Sequence, residues 1–146
     1  MKKEAYTLVG MLVLVSMITI STAKAQSGNQ PLVATIPFEF SLGGQALSAG
    51  KYTVTIANPA SDQRVIKLTN LETNETGIVL THPRNGKSED GARLTFHRYG
   101  EHYFLAQAWT GADSIGMEVS KSSAELAISK ELAETPQTEA VALKRK

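Results

Sequence analysis

Leu94-Thr95-Phe96-His97-Arg98-Tyr99-Gly100-Glu101-His102-Tyr103-Phe104-Leu105-Ala106-Gln107-Ala108-Trp109 holds five of the nine aromatic residues of the chain, so its reading decides the fold. Two period-2 runs, Leu94 to Arg98 and Tyr103 to Trp109, meet at Tyr99-Gly100-Glu101-His102. Gly100 suits the first central position of a two-residue type II′ hairpin turn, where φ is positive and a side chain would clash. That turn pairs Phe96 with Leu105. Leu94, Phe96, Leu105 and Trp109 then share the core face, while Thr95, His97, Tyr99, His102, Phe104 and Ala106 share the other. One residue more or less in the loop would turn one strand over relative to its partner.

Upstream of this hairpin the same alternation recurs. From Ala34 to Leu42 apolar residues fall at every second position, which predicts a half-buried strand, and Pro37 within it predicts an edge or a bend. Gly43-Gly44 ends that run, and Leu47 to Gly50 turns the chain into Lys51–Ala57, with Tyr52, Val54 and Ile56 inward. Asn58 to Asp62 is dense in turn formers. A strand from Arg64 to about Asn70 should bury Ile66 and Leu68. After a polar loop, Gly77 to His82 should pack Ile78 and Leu80. Asn74-Glu75-Thr76 matches a glycosylation acceptor and is read here as turn chemistry. Residues 83–91 are polar and of mixed charge, a surface connection.

Downstream, a short strand is expected around Ile115 to Val119. Ser122-Ser123-Ala124-Glu125 then fits a capping box, in which a hydroxyl and a carboxylate satisfy free amides at a helix start. The helix should run to Glu134, dock through Leu126, Ile128 and Leu132, and stop at Pro136. Residues 135–146 read as a flexible tail whose Lys144-Arg145-Lys146 is a solvated end.

The N-terminus carries the strongest functional signal. Lys2 and Lys3 precede an apolar run from Ala5 to Ile20, and Ala23-Lys24-Ala25 before Gln26 has the Ala-x-Ala form of a signal-peptidase site. Cleavage between Ala25 and Gln26 removes residues 1–25 and leaves 121 of 146, one domain of ordinary size. The expected domain occupies residues 34–134, after a flexible leader over 26–33. The mature chain would hold 12 basic and 13 acidic residues, a net charge of −1, so no excess positive charge points to nucleic acid. Cysteine is absent, which excludes disulfide staples, thiolate nucleophiles and N-terminal lipidation. No second apolar run approaches the roughly 20 residues of a membrane span, so the mature chain is expected to be periplasmic or extracellular.

The chain offers no motif for catalysis. His82, His97 and His102 are its three histidines; His97 and His102 share a face, but Glu101 is the only further donor nearby, short of the four ligands of a structural zinc site. Ser114, Asp113 and a histidine are the raw materials of a hydrolase, yet no Gly-x-Ser-x-Gly elbow occurs. Among Glu39, Glu101 and Glu118 nothing singles out a glycosidase pair. We expect no enzyme, no metal and no cofactor. The face bearing His97, Tyr99, His102 and Phe104 is the candidate binding surface, because rings with polar edges supply contact area at low entropic cost.

Three blocks, Ile36 to Val54 (IPFEFSLGGQALSAGKYTV), Leu94 to Trp109, and Gly116 to Ser129 (GMEVSKSSAELAIS), together resemble a large family of uncharacterised exported bacterial proteins. The resemblance implies export and a β-rich fold and carries no activity to transfer. Where this family has proline, the present chain has Ser48 and Ser120, which removes a rigid φ from two turns. About seven short strands at intervals of 10 to 15 residues, with no βαβ rhythm, predict a single antiparallel β-sandwich, or a small barrel, with a C-terminal helix. The function expected is a non-catalytic structural or interaction module of the bacterial envelope, whose partner is a protein or an envelope component. The alternative is a small-ligand or carbohydrate-binding domain.

Overall fold

The computed structural model describes residues 31–59, 61–86, 91–111 and 115–146. The expected signal peptide with its Ala25/Gln26 cleavage site, the leader up to residue 30, and Asp113 and Ser114 lie outside the described residues. The strands are β1 (Leu32–Ile36), β2 (Phe40–Leu42), β3 (Gln45–Leu47), β4 (Gly50–Ala57), β5 (Arg64–Asn70), β6 (Thr76–Asn85), β7 (Arg93–Tyr99), β8 (His102–Trp109), β9 (Ile115–Val119) and β10 (Gln137–Arg145), with a helix α1 (Ser123–Leu132) before the last. Each barrel neighbour is antiparallel in the order β8-β7-β10-β1-β4-β5-β6-β9, and pairing of Gln107 with Glu118 and Ala108 with Met117 returns the order to β8. The sheet is therefore a closed eight-stranded barrel, the second of the two architectures the sequence allows. A barrel of this size is just wide enough to be filled by side chains. Tyr52, Ile66, Leu68, Leu94, Phe96 and Met117, each at most 1% exposed, fill it.

The hairpin at the centre of the sequence reading forms in the expected register. Gly100 has φ 60°, Tyr99 pairs with His102, and Phe96 pairs with Leu105. Trp109 departs from the expected core face. Thr95 pairs with Gln107 while Phe96 pairs with Leu105, so Ala106 is an extra, unpaired residue on β8. This bulge reverses the parity of everything after it. Ala108 replaces Trp109 in the barrel, and Trp109 pairs with Arg93 on the outer wall, where its indole stays 5% exposed over Gly116 and Gly86.

Pro37 divides what reads as one strand into β1 and β2, because its missing N–H and fixed φ end the ladder. Phe38 beside it stacks on Tyr103 at 3.8 Å between centroids. Beyond the break the β2–β3 hairpin turns through Gly43 and Gly44, both at positive φ, and Ser41 of β2 pairs in parallel with Phe104 of β8. Here β2 occupies the side of β8 that β9, which pairs only at Gln107 and Ala108, does not reach. The hairpin's Phe40, Leu42 and Leu47 join the core. Room for them comes from Gly77, where an added Cβ would lie 2.7 Å from Leu42 Cδ2 and 2.8 Å from Leu47 Cδ1.

That contact corrects the face of β6. Leu68 pairs with Gly77 and Ile66 with Val79, so Gly77 and Val79 look inward. Ile78 and Leu80, expected in the core, are 60% and 47% exposed. β6 also continues through Pro83 to Asn85, paired with β9, so part of the expected polar connection is strand.

The largest correction concerns residues 135–146. The expected flexible tail is β10, which lies between β1 and β7: Ala34 pairs with Leu143, and Leu94 with Val141. Val141 and Leu143 alternate with exposed neighbours, and both pack against the barrel interior. Leu32 and Val33, expected in the leader, pair with Arg145 and Lys144. With the division at Pro37 and the short β3, β10 raises the strand number from about seven to ten. At the Ser48 turn, hydrogen bonds hold the chain: its hydroxyl donates to Glu75 Oε2 at 2.8 Å, and its carbonyl accepts from the Tyr52 hydroxyl at 2.6 Å.

Candidate functional site

The four residues of the candidate face divide once the barrel forms. His97 and Tyr99 alternate on the outer wall of β7, and Phe104 stands opposite His97 on β8. His102, the strand partner of Tyr99, is exposed at the hairpin end. Helix α1 packs on β7 over His97 and Tyr99. Ser122 caps it by accepting a hydrogen bond from the Glu125 amide at 3.1 Å, the first half of the expected capping box. The second half does not form, because the Glu125 carboxylate turns down to the barrel instead.

There it is the helix's only buried residue, 3% exposed. Its Oε1 lies 2.6 Å from His97 Nδ1 and accepts from the Tyr99 hydroxyl at 3.2 Å, while Lys121 Nζ donates to the Tyr99 oxygen at 3.3 Å. A carboxylate only accepts, so the short contact places the His97 proton on Nδ1. Four titratable side chains from β7, α1 and Lys121 just ahead of the helix cap thus form one chain of hydrogen bonds, and charge-assisted bonds of this kind are the strong ones. Tyr99 is fully buried and Phe104 is 5% exposed, their rings 6.0 Å apart and edge to face. Leu126 and Leu132, expected to dock the helix, are 46% and 41% exposed. A buried carboxylate does that work in their place. The capping-box pattern pointed to Glu125, but its partners lie 28 and 26 residues away and only the barrel brings them near.

This arrangement can fix an imidazole and seat a helix. Thr138 of β10 pairs with His97 across the sheet, and among the described residues no hydrogen bond joins His97 to a hydroxyl other than through Glu125. Among the described residues no three His, Cys, Asp or Glu side chains converge as metal ligands, and no helix is long and apolar enough to cross a membrane.

A second feature was invisible in the linear chain. Across the outer wall of β4, β1 and β10 runs a groove of about 460 Å³ lined by Val33, Thr35, Lys51, Val141, Ala142, Lys144, Arg145 and Lys146. Lys51 stands opposite Thr35, and Lys144 opposite Val33. The Lys144-Arg145-Lys146 run read as a solvated end; the signal that it forms a wall was the Val141/Leu143 alternation ahead of it. Comparison of the chain with protein-family models, with curated proteins and with solved structures gave no match.

Proposed function

We propose that the protein is an exported, non-catalytic structural or interaction module of the bacterial cell envelope. The observation that carries this reading is the closure of α1 over the His97–Glu125–Tyr99–Lys121 cluster. The acid–base side chains that converge there hold a helix to a barrel, which leaves the outer wall as the surface through which the molecule meets others. Export is supported by the basic, apolar and Ala-x-Ala regions that precede the barrel, and the resemblance of three blocks to exported bacterial proteins agrees with it.

The test is recovery of the protein from a bacterial host by fractionation, followed by intact mass and by pull-down from envelope extracts. The expected form begins at Gln26, lies outside the cytoplasm and retains a discrete envelope component. Protein that keeps residues 1–25 in the cytoplasm would overturn the reading.

A second reading, a small-ligand or carbohydrate-binding barrel, is favoured by the groove on β4, β1 and β10. It does not rest on the His97 face, where Tyr99 is fully buried beneath Glu125 of α1 and Phe104 is 5% exposed.

A further inference from the structure

We propose that the groove across β4, β1 and β10 binds a small polyanion, held at its two ends by Lys51 on one side and by Lys144 on the other. The inference rests on the second reading above and names its ligand class. Four of the chain's 15 basic residues line this one groove, no carboxylate side chain lines it, and the whole chain carries a net charge of only +1. Among the described residues none of these four forms an ion pair, although Arg84 elsewhere on the wall is matched by Glu118 at 2.9 Å.

The cations are held in place by the ladder. Lys144 and Arg145 are strand residues paired with Val33 and Leu32, and the Lys146 amide donates to the Pro31 carbonyl at 3.2 Å. Lys51 sits on β4, across β1 from β10, and its partner Thr35 is two residues along β1 from Val33. Strand spacing and rise then separate the Lys51 and Lys144 backbones by roughly 12 Å. A lone phosphate cannot touch both ends of such a span and would leave most of the groove empty, since about 460 Å³ lies in the range that holds a drug-sized molecule. Val33 and Ala142 give the floor apolar area and Thr35 gives it a hydroxyl. The matching ligand has anionic groups several ångströms apart on a body with apolar and hydroxyl surface. An oligophosphate and an acidic oligosaccharide share that charge pattern.

Calorimetric titration of the purified protein with tripolyphosphate, with trigalacturonate and with neutral maltotriose separates the sources. At least one of the two anions should bind, weaken as salt is raised, and lose about tenfold in affinity in the Lys51→Gln/Lys144→Gln double variant. A Lys130→Gln control, on α1 and outside the groove lining, should stay within about twofold, and circular dichroism should show both variants folded. Binding of tripolyphosphate alone assigns a phosphorylated ligand; binding of trigalacturonate alone assigns a carboxylated sugar. Failure of both anions, or equal losses in groove and control variants, overturns the proposal. If maltotriose binds while both anions fail, the polyanion falls and the ligand-binding reading stands; if all three fail, both fall.

Discussion

His97 Nδ1 and Glu125 Oε1 lie 2.6 Å apart, a single contact that fastens the first turn of α1 to the outer wall of β7. The rest of the helix has no fully buried side chain: Ile128 is half-buried, and Leu126 and Leu132 are 46% and 41% exposed. The helix therefore stays seated through a carboxylate and its donors, and its stability should respond to polar substitutions more than to apolar ones.

Glu125→Ala is expected to cost about 2 kcal/mol, the usual range for losing hydrogen bonds to a buried charged group. Urea unfolding gives the loss, and amide exchange should show it first in residues 123–132. Adding His97→Ala should cost little more, because the two side chains share one interaction. A loss under about 0.5 kcal/mol for Glu125→Ala would mean the helix is held elsewhere.

Gly116→Ala places a methyl group 2.7 Å from Trp109 Cζ2 and 2.8 Å from Cε2 and Cη2. The indole is rigid and 5% exposed, so it must tilt outward, at about 1 to 3 kcal/mol for overpacking. The chain has one tryptophan, so its emission reads the tilt directly and should shift to the red. Emission and melting temperature both unchanged would contradict the placement of Trp109 on the outer wall.

How much of this was readable depends on whether the deciding contact is local. The Gly100 turn and the Phe96–Leu105 pair follow from adjacent residues, and both were legible. Two parity errors were not local. Ala106 is ordinary in composition, and it bulges where β8 changes neighbours from β2 to β9. On β6 the apolar residues Ile78 and Leu80 pointed to the wrong face, because the inward position belongs to Gly77, which leaves space for leucines 30 or more positions earlier. The candidate site shows the same limit. Ser122 and Glu125 were found as a cap, but the diversion of the carboxylate to His97 and Tyr99 depends on how β7 lies under α1. The basic groove depended on β10 lying beside β1.

Ending the chain at Pro136 removes β10 and with it the partner of both β1 and β7. Five-residue β1 would keep only β4, and Leu143 would no longer seal the core. The truncated protein is expected to show no cooperative thermal transition and to expose apolar surface to a dye such as ANS. A cooperative melt close to that of the full chain would show that the barrel closes without this strand.

Because β10 sits between β1 and β7, the ring cannot close until residues 137–145 have joined both of them. Leu32 waits for Arg145, more than a hundred residues later, and such distant pairings form slowly. Until β10 docks, the edges of β1 and β7 face solvent with their ladder groups unpaired, so closure of the ring is a single late event on which both flanks depend.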